Sequence, residues 1–150
     1  MLTNKITDLA KNKLINSILL HSGFIDNPGL LNGKMGIAIY FFHLYRETDI
    51  RIYEDYAGEL IDDLYQEISI STPLCFKDGL SGIGWGIEYL VQNGFIDADT
   101  DQVLDEFDSR LYHQLNTIST DVTGLNSILL DCSLYFTMRI KNTNSYDNKN

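Results

Sequence analysis

The chain has 150 residues, of which 44% are hydrophobic and 21% are charged, which allows one domain with a buried core and excludes a disordered composition. Its formal net charge of −10 disfavours both nucleic acid and an anionic membrane surface as partners, because each of them repels an acidic protein. No apolar run approaches the roughly 20 residues needed to span a bilayer, and the N-terminus lacks a signal-peptide apolar region, so we expect a cytoplasmic protein with no membrane partner.

The first two predicted helices differ in kind. Residues 6–20 carry apolar side chains spaced by four on one face. This pattern predicts an amphipathic helix with an apolar stripe that is buried and a polar face that is exposed to solvent. Residues 33–45 are apolar on nearly every side, which is typical of a helix packed on several sides. We expect the first to be an outer helix and the second to be an inner helix.

The next two predicted helices repeat this alternation. Residues 52–68 have an apolar stripe opposite an acidic face that we expect to be solvated, which predicts a second outer helix. Residues 82–91 are again apolar nearly all round, and Gly94 follows at a position where a glycine commonly ends a helix. This pattern predicts a second inner helix with Gly94 at its C-terminal end.

The last pair of predicted helices follows the same order. Residues 100–115 form the third outer helix, and Asp99 stands near its start, where an acidic side chain suits the positive end of the helix dipole. Residues 123–138 form the third inner helix. Because residues 141–150 are polar apart from one tyrosine, we expect a single helical domain over residues 1–140 and a disordered tail after it.

The three predicted inner helices begin with similar motifs. These motifs start at Gly33, Gly79 and Gly124, which are 46 and then 45 positions apart. A period in this range indicates a repeated helix hairpin, and small residues in the first turn let a helix approach its neighbour closely. The fold class that we predict is all-α, with about three helix hairpins that form an arc of an α/α toroid, in other words a partial α/α barrel.

Two of these motifs resemble the glycine-rich repeats of lanthionine synthetase C-like proteins. Residues 28–38 read PGLLNGKMGIA and residues 78–86 read DGLSGIGWG, the second being the more specific. The resemblance covers roughly residues 29–135 and corresponds to the N-terminal portion of the family. It implies an α/α toroid in which loops at one end of the inner helices line a central cavity.

The resemblance also implies a chemistry. In active members of that family, zinc activates a cysteine thiol of a precursor peptide for addition to a dehydrated Ser or Thr, and the zinc is held by a Cys and by a later Cys-His pair. This chain has no Cys-His pair, since Cys75 precedes Phe76 and Cys132 precedes Ser133. We therefore expect a non-catalytic chain with no zinc or other cofactor, and we assign no catalytic, cofactor-binding or metal-binding residue.

Several other residues have both a chemical and a structural interpretation. His21, His43 and His113 are scattered and lack ligand-type partners four positions away, so a zinc site built from them and a cysteine is the less favoured interpretation. Cys132 lies within an apolar helix and should pack as a small hydrophobe. Cys75 lies in the loop before the second glycine motif, where a reactive thiol is conceivable.

The second glycine motif contains further candidates. In the family, an acidic residue ahead of this motif is proposed to assist catalysis, but Asp78 stands at a different offset, and we predict that it caps the following helix. The alternation of Gly82, Gly84 and Gly86 lacks the strand and the Lys-Ser/Thr of a phosphate loop, so close helix packing is the better interpretation. We expect Trp85 to lie in the core.

Three functions fit this sequence. We favour a non-catalytic or accessory lanthionine synthetase C-like module that binds a peptide or a partner protein. The alternatives are a zinc-dependent, thioether-forming peptide-modifying enzyme completed by another chain, and a carbohydrate-processing α/α-toroid enzyme, which needs two facing carboxylates. Because an open arc leaves apolar flanks exposed, we also expect self-association or docking on a partner chain.

Overall fold

The structure, a computed structural model, describes the backbone of residues 2–117 and 125–147 and the side-chain surroundings of residues 9–117 and 127–140. The described residues form seven helices and no strand, which confirms the all-α prediction. The helices are α1 (Leu2–Ser22), α2 (Lys34–Thr48), α3 (Arg51–Glu67), α4 (Leu80–Gln92), α5 (Thr100–Val103), α6 (Asp105–Thr117) and α7 (Leu125–Asp147). The arc of an α/α toroid stays a prediction.

Helix α4 packs against both α2 and α7, the other two predicted inner helices. His43 of α2 is hydrogen-bonded to Tyr89 of α4 (Nε2 to Oη, 2.8 Å), and these two residues stand at equivalent positions of the repeat, 46 apart. One turn later, Arg46 of α2 donates from Nη2 to the carbonyl oxygen of Asn93 (2.6 Å). Because the contacts advance in the same direction along both helices, α2 and α4 are parallel neighbours.

Helices α3 and α6, which we predicted to be outer helices, pack on these three helices. Lys34 at the start of α2 forms an ion pair with Glu67 at the end of α3 (2.6 Å), so these two helices are antiparallel. Helix α6 contacts both α4 and α7. The core consists of buried apolar side chains from both kinds of helix, among them Ala38, Phe41, Ala57, Leu60, Leu64, Ile83, Ile87, Leu90, Phe107 and Leu111.

The two described glycine motifs have the same local geometry. The amide of Lys34 donates to the carbonyl oxygen of Asn27 (2.9 Å), and 46 positions later the amide of Leu80 donates to that of Pro73 (2.8 Å). These bonds satisfy one otherwise unpaired amide at the start of each helix. The repeat seen in the sequence is thus also a repeat of backbone structure, while the first residue of the third motif, Gly124, lies outside the described residues.

A glycine one turn into each helix allows this geometry. A Cβ atom added to Gly36 would lie 2.1 Å from the carbonyl oxygen of Leu30, and one added to Gly82 would lie 1.8 Å from that of Phe76. No side chain fits at these distances. The loop before each of these helices can therefore fold back onto the helix. The predicted close packing between helices occurs at Gly86, where an added Cβ atom would lie 2.5 Å from the Met35 side chain of α2.

Helix α4 ends in the way that the sequence predicts. Gly94 has a φ of +64°, in the left-handed region that favours glycine. Its amide donates to the carbonyl oxygen of Val91 and the amide of Phe95 donates to that of Leu90, each at 2.9 Å, which is the bond pair of a Schellman motif. This turn brings the centroid of the Phe95 ring to 5.7 Å from that of the Phe42 ring of α2.

The single helix predicted over residues 100–115 is in fact two helices, α5 and α6. Asp99 caps α5, since its side chain accepts hydrogen bonds from the amides of Asp101 and Gln102 (3.1 and 3.3 Å). The backbone then leaves the helical conformation at Leu104 (φ −104°, ψ 7°), whose side chain is fully buried. The break turns this leucine into the core, which a continuous periodic pattern does not reveal.

The turn between α3 and α4 is fixed by a side chain from α6. Arg110 donates to the carbonyl oxygens of Ser69, Ile70 and Thr72 at distances of 3.0 to 3.1 Å. A guanidinium group carries five N–H donors in a planar arrangement, so it can bind several carbonyl oxygens of one turn. The loop is therefore held by a helix that follows it in the chain.

The C-terminal part of the chain differs from the expected tail. Helix α7 continues through Asp147, so the backbone of residues 141–147 is helical, and residues 148–150 lie outside the described residues. The low apolar content of this stretch predicted disorder, but it contains no proline or glycine to end the helix. No helix among the described residues combines the length and the hydropathy needed to cross a membrane.

Candidate functional site

A groove with a volume of about 560 Å³ lies between α1 and α2. Helix α1 forms one wall, and the first glycine motif and the following turns of α2 form the other. We call it the α1/α2 groove; its wall consists mainly of apolar or backbone surface from Ile18, Leu30, Leu31, Gly36, Ile37 and Tyr40. A concave apolar space of this volume is typical of a ligand-binding pocket.

Two polar side chains of the groove, those of Ser22 and His21, are hydrogen-bonded within the protein. The Ser22 hydroxyl donates to a carbonyl oxygen one turn earlier in α1 (2.6 Å) and is also hydrogen-bonded to the Tyr56 hydroxyl of α3. His21 Nδ1 lies 2.7 Å from the carbonyl oxygen of Ser17. Leu31, by contrast, is 64% exposed at the edge of the groove. The groove therefore offers mainly apolar contact to whatever binds there.

The loops that precede α2 and α4 pack directly on each other. A Cβ atom at Gly29 would lie 2.4 Å from the Cα atom of Asp78, and Asn27 Nδ2 donates to Asp78 Oδ1 (3.1 Å). The prediction that Asp78 caps α4 is wrong, because the N-cap residue is Gly79 and no side chain caps that helix. Asp78 lies one residue too early, and its carboxylate is engaged by Asn27 and by Lys77 (3.6 Å) instead.

The two cysteines are free and lie in different surroundings. Cys132 on α7 is 1% exposed, as expected for a cysteine that packs as a small hydrophobe, and burial raises the pKa of its thiol. Cys75 is half-buried beside a separate cavity of about 310 Å³, whose wall includes Gln114 of α6 and Asp131 of α7. No feature of this cavity identifies Cys75 as a reactive thiol.

The three histidines lie on separate helices. His21 belongs to α1, His43 of α2 is bonded to Tyr89, and His113 belongs to α6. Among the residues that the structure describes, no three His, Cys, Asp or Glu side chains come together in a group that could hold a metal ion. These residues do not fit the zinc site that the family resemblance implies, and we derive no chemical step from a metal.

A buried cluster of charged side chains joins α4, α6 and α7, and sequence analysis missed it. Glu88 of α4 has no exposed surface, and its Oε1 lies 2.5 Å from Nη1 of Arg139 on α7. Nη2 of Arg139 lies 2.7 Å from Oδ2 of Asp108 on α6, and the Tyr135 hydroxyl donates to Oδ1 of Asp108 (2.6 Å). Burial and the bond to Asp108 raise the pKa of Tyr135 above its usual value.

We interpret this cluster as a link between helices. One guanidinium group engages both carboxylates, whereas a carbohydrate-processing site needs a facing pair of carboxylates with separate roles as acid and as base or nucleophile. The signal that could have revealed the cluster is Glu88 itself, an acidic residue within an otherwise apolar helix. A buried carboxylate of this kind requires a cationic partner.

The aromatic side chains on α4 form part of the surface as well as of the core. Trp85, which we expected in the core, is only half-buried. Its ring stacks on Tyr89 with a centroid distance of 5.3 Å and meets the edge of Phe76 at 6.0 Å. The three rings connect the loop before α4 to the middle of that helix, but none of them lines the α1/α2 groove.

Comparisons of the chain with protein-family models, with curated proteins and with solved structures find no match. The similarity to lanthionine synthetase C-like proteins thus stays a prediction that rests on two glycine motifs. The α1/α2 groove is the feature that best supports a functional proposal.

Proposed function

We propose that the chain is a non-catalytic helical-repeat module that binds an apolar helical segment of a peptide or partner protein in the α1/α2 groove. The observation that supports this most directly is the groove itself, which has a volume of about 560 Å³ and a mainly apolar wall. A groove between two helices is a common receptor for an amphipathic helix, whose apolar face supplies side chains spaced by three or four residues.

The edge of the groove supports the same proposal. Leu31 is 64% exposed beside the groove, and Leu14 and Leu20 of α1, which are outside its wall, are 57% and 71% exposed. A single exposed leucine is ordinary on a protein surface, but Leu31 adjoins a concave apolar space. Covering this surface would remove apolar area from water, which favours binding by about 25 cal/mol per Å² before the costs of association are subtracted.

The charge of the chain suggests what should surround the bound segment. With a net charge of −10, the protein attracts a segment whose apolar face is flanked by Lys or Arg and repels an acidic one. The resemblance to lanthionine synthetase C-like proteins suggests a peptide-handling role in the cytoplasm, as an accessory to modification and not as its catalyst. We therefore propose a neutral or cationic amphipathic segment as the ligand class.

This proposal can be tested by NMR titration of the uniformly ¹⁵N-labelled chain. The probe is a synthetic amphipathic helical peptide with leucines at i and i+4 and flanking lysines, compared with a scrambled peptide of equal composition. We expect saturable shifts of the amide signals of Gly33 and Gly36 with the amphipathic peptide alone. Leu31→Glu should weaken this binding at least tenfold, because it places a carboxylate at the apolar edge of the groove.

A matched variant serves as the control. Ile52 on α3 is 66% exposed, similar to Leu31, but does not line the groove, so Ile52→Glu should leave peptide binding unchanged. The proposal fails if the amphipathic peptide causes no saturable shifts. It also fails if the two variants weaken binding equally, since this would place the peptide elsewhere or make the effect one of net charge.

A further inference from the structure

Helices α2 and α4 have equivalent neighbours in the chain. Helix α2 contacts the next outer helix, α3, and the next inner helix, α4; likewise α4 contacts α6 and α7. The two inner interfaces use equivalent positions, since Arg46 donates to the carbonyl oxygen of Asn93 (2.6 Å) and Gln92 donates to that of Met138 (3.0 Å). One hydrogen bond thus recurs at equivalent positions of the two interfaces, although α4 packs more extensively on α7 than on α2.

This register identifies the face of α7 that would contact a further inner helix. Ile39 and His43 of α2 lie towards α4, and the repeat places Leu130 and Leu134 at the equivalent positions of α7. We call the following residues the forward face of α7: Leu129, Leu130, Ser133, Leu134 and Thr137. All five are exposed, the three leucines by 40 to 58%.

The same register identifies the α1/α2 groove as the matching surface. On α4, Gly82 and Gly86 lie next to side chains that come from α2 and from the loop before α2. Their equivalents 46 positions earlier are Gly36 and Tyr40, and both line the groove. Helix α1, the outer helix before α2, forms the opposite wall, so the groove is where an inner helix preceding α2 would lie.

We propose that the partner that occupies the α1/α2 groove is helix α7 of a second copy of this chain. The proposal rests on the proposed function, because it names the segment bound in the same groove. Leu130 and Leu134 of one copy enter the groove of the next copy beside Gly36 and Tyr40. Two different surfaces meet, so the copies associate head to tail.

The chemistry of the two surfaces is compatible. The forward face consists of three leucines and two hydroxyl side chains and carries no charge, and the wall of the groove is mainly apolar. Each copy nevertheless has a net charge of −10, so long-range repulsion opposes association. Salt screens this repulsion, and association should therefore become stronger as ionic strength rises.

The test is sedimentation velocity of the full chain over a range of concentrations and at low and high salt. We expect a mass above that of the 17.1 kDa monomer that grows with concentration. The forward-face variant Leu130→Glu/Leu134→Glu and the groove variant Leu31→Glu should each weaken association at least tenfold. An equimolar mixture of these two variants should form a heterodimer, because together they retain one intact copy of each surface.

Two controls accompany these variants. Ile52→Glu, on the exposed part of α3, should associate like the unmodified chain, which separates the effect of location from that of added charge. Circular dichroism must show that each variant keeps the helix content of the unmodified chain. If Leu130→Glu/Leu134→Glu does not fold, Ser133→Arg is a second forward-face variant at an exposed polar position.

The possible outcomes are distinct. Self-docking is ruled out if the unmodified chain stays monomeric up to about 1 mM, or if neither surface variant changes association. It is also ruled out if the mixture of variants forms no heterodimer, since this indicates an interface other than head to tail. A monomeric chain whose groove still binds the synthetic amphipathic peptide would overturn this inference and leave the proposed function intact.

Discussion

Glu88 is a carboxylate with no exposed surface on a helix whose other side chains are nearly all apolar. Transfer of an unpaired carboxylate from water to such a site is costly, and Arg139, at 2.5 Å, supplies the compensating charge. The guanidinium group reaches Asp108 as well (2.7 Å), so one side chain of α7 bonds to α4 and α6 together. We therefore expect the stability of the chain to depend strongly on Arg139.

We predict that Arg139→Met lowers the free energy of unfolding by about 3–5 kcal/mol, the range for breaking a buried ion pair from one side. The physical reason is that Glu88 would remain buried without this cation. Urea unfolding measures the change. Arg51→Met is the control, because the Arg51 side chain is 78% exposed and its ion pairs with Glu54 and Asp55 are long (4.0 and 3.8 Å).

Arg51→Met should lower the free energy of unfolding by less than about 0.5 kcal/mol, because a surface ion pair usually contributes little to stability. Equal losses in the two variants would show that the buried cluster contributes no more than a surface pair. The double variant Glu88→Gln/Arg139→Met should lose less stability than Glu88→Gln and Arg139→Met lose in total. The reason is that a neutral side chain at position 88 no longer needs a cationic partner.

At the scale of elements, the glycine at position 82 decides how closely the loop approaches α4. We predict that Gly82→Ala lowers the free energy of unfolding by about 1–3 kcal/mol, because its Cβ would lie 1.8 Å from a backbone carbonyl oxygen. Gly58 in the middle of α3 has no atom within 4 Å of such a Cβ, so Gly58→Ala should instead stabilise the chain by about 0.5–1 kcal/mol. Thermal and urea unfolding of both variants check the opposite signs, and a stabilising Gly82→Ala would contradict the described loop geometry.

The elements also show which parts of the fold could be predicted from sequence. The number of long helices and the spacing of the first two glycine motifs depend on local patterns, and the structure reproduces them. The partner of Asp78 is 51 positions away on another loop, and Arg139 bonds to residues of three other helices. No local pattern marks such pairs, so the cap predicted for Asp78 was wrong and the buried cluster was missed.

The α1/α2 groove could not be predicted from the sequence for a related reason. The sequence predicted exposed apolar flanks and self-association but did not identify the surfaces. The groove depends on how α1 lies against α2, and the forward face of α7 is recognised only once the bonds of Arg46 and Gln92 fix the register of neighbouring helices. Periodicity alone describes a helix as apolar on all sides without saying which side stays open.

At the scale of the whole molecule, the scaffold is predicted to work without a metal. We expect the chain, purified with neither added metal nor chelator, to contain much less than one zinc ion per molecule by elemental analysis. The physical reason is that zinc needs three or four Cys, His or carboxylate ligands in one place, and the described part of the chain brings no three of them together.

Cys75→Ser provides a matched comparison, since it should leave the metal content unchanged. A stoichiometric amount of zinc in the unmodified chain would contradict the non-catalytic proposal. If Cys75→Ser then removed the zinc, the half-buried thiol beside α6 and α7 would be the first ligand to consider.

The bonds from Arg110 to the turn between α3 and α4 have a consequence for synthesis. The ribosome produces this turn before it produces Arg110, which follows the three bonded carbonyl groups by 38 to 41 residues. A nascent chain that has emerged only as far as α4 therefore has the turn without its guanidinium group. Helices α3 and α4 therefore leave the ribosome before the side chain that secures the turn between them, which arrives only with α6.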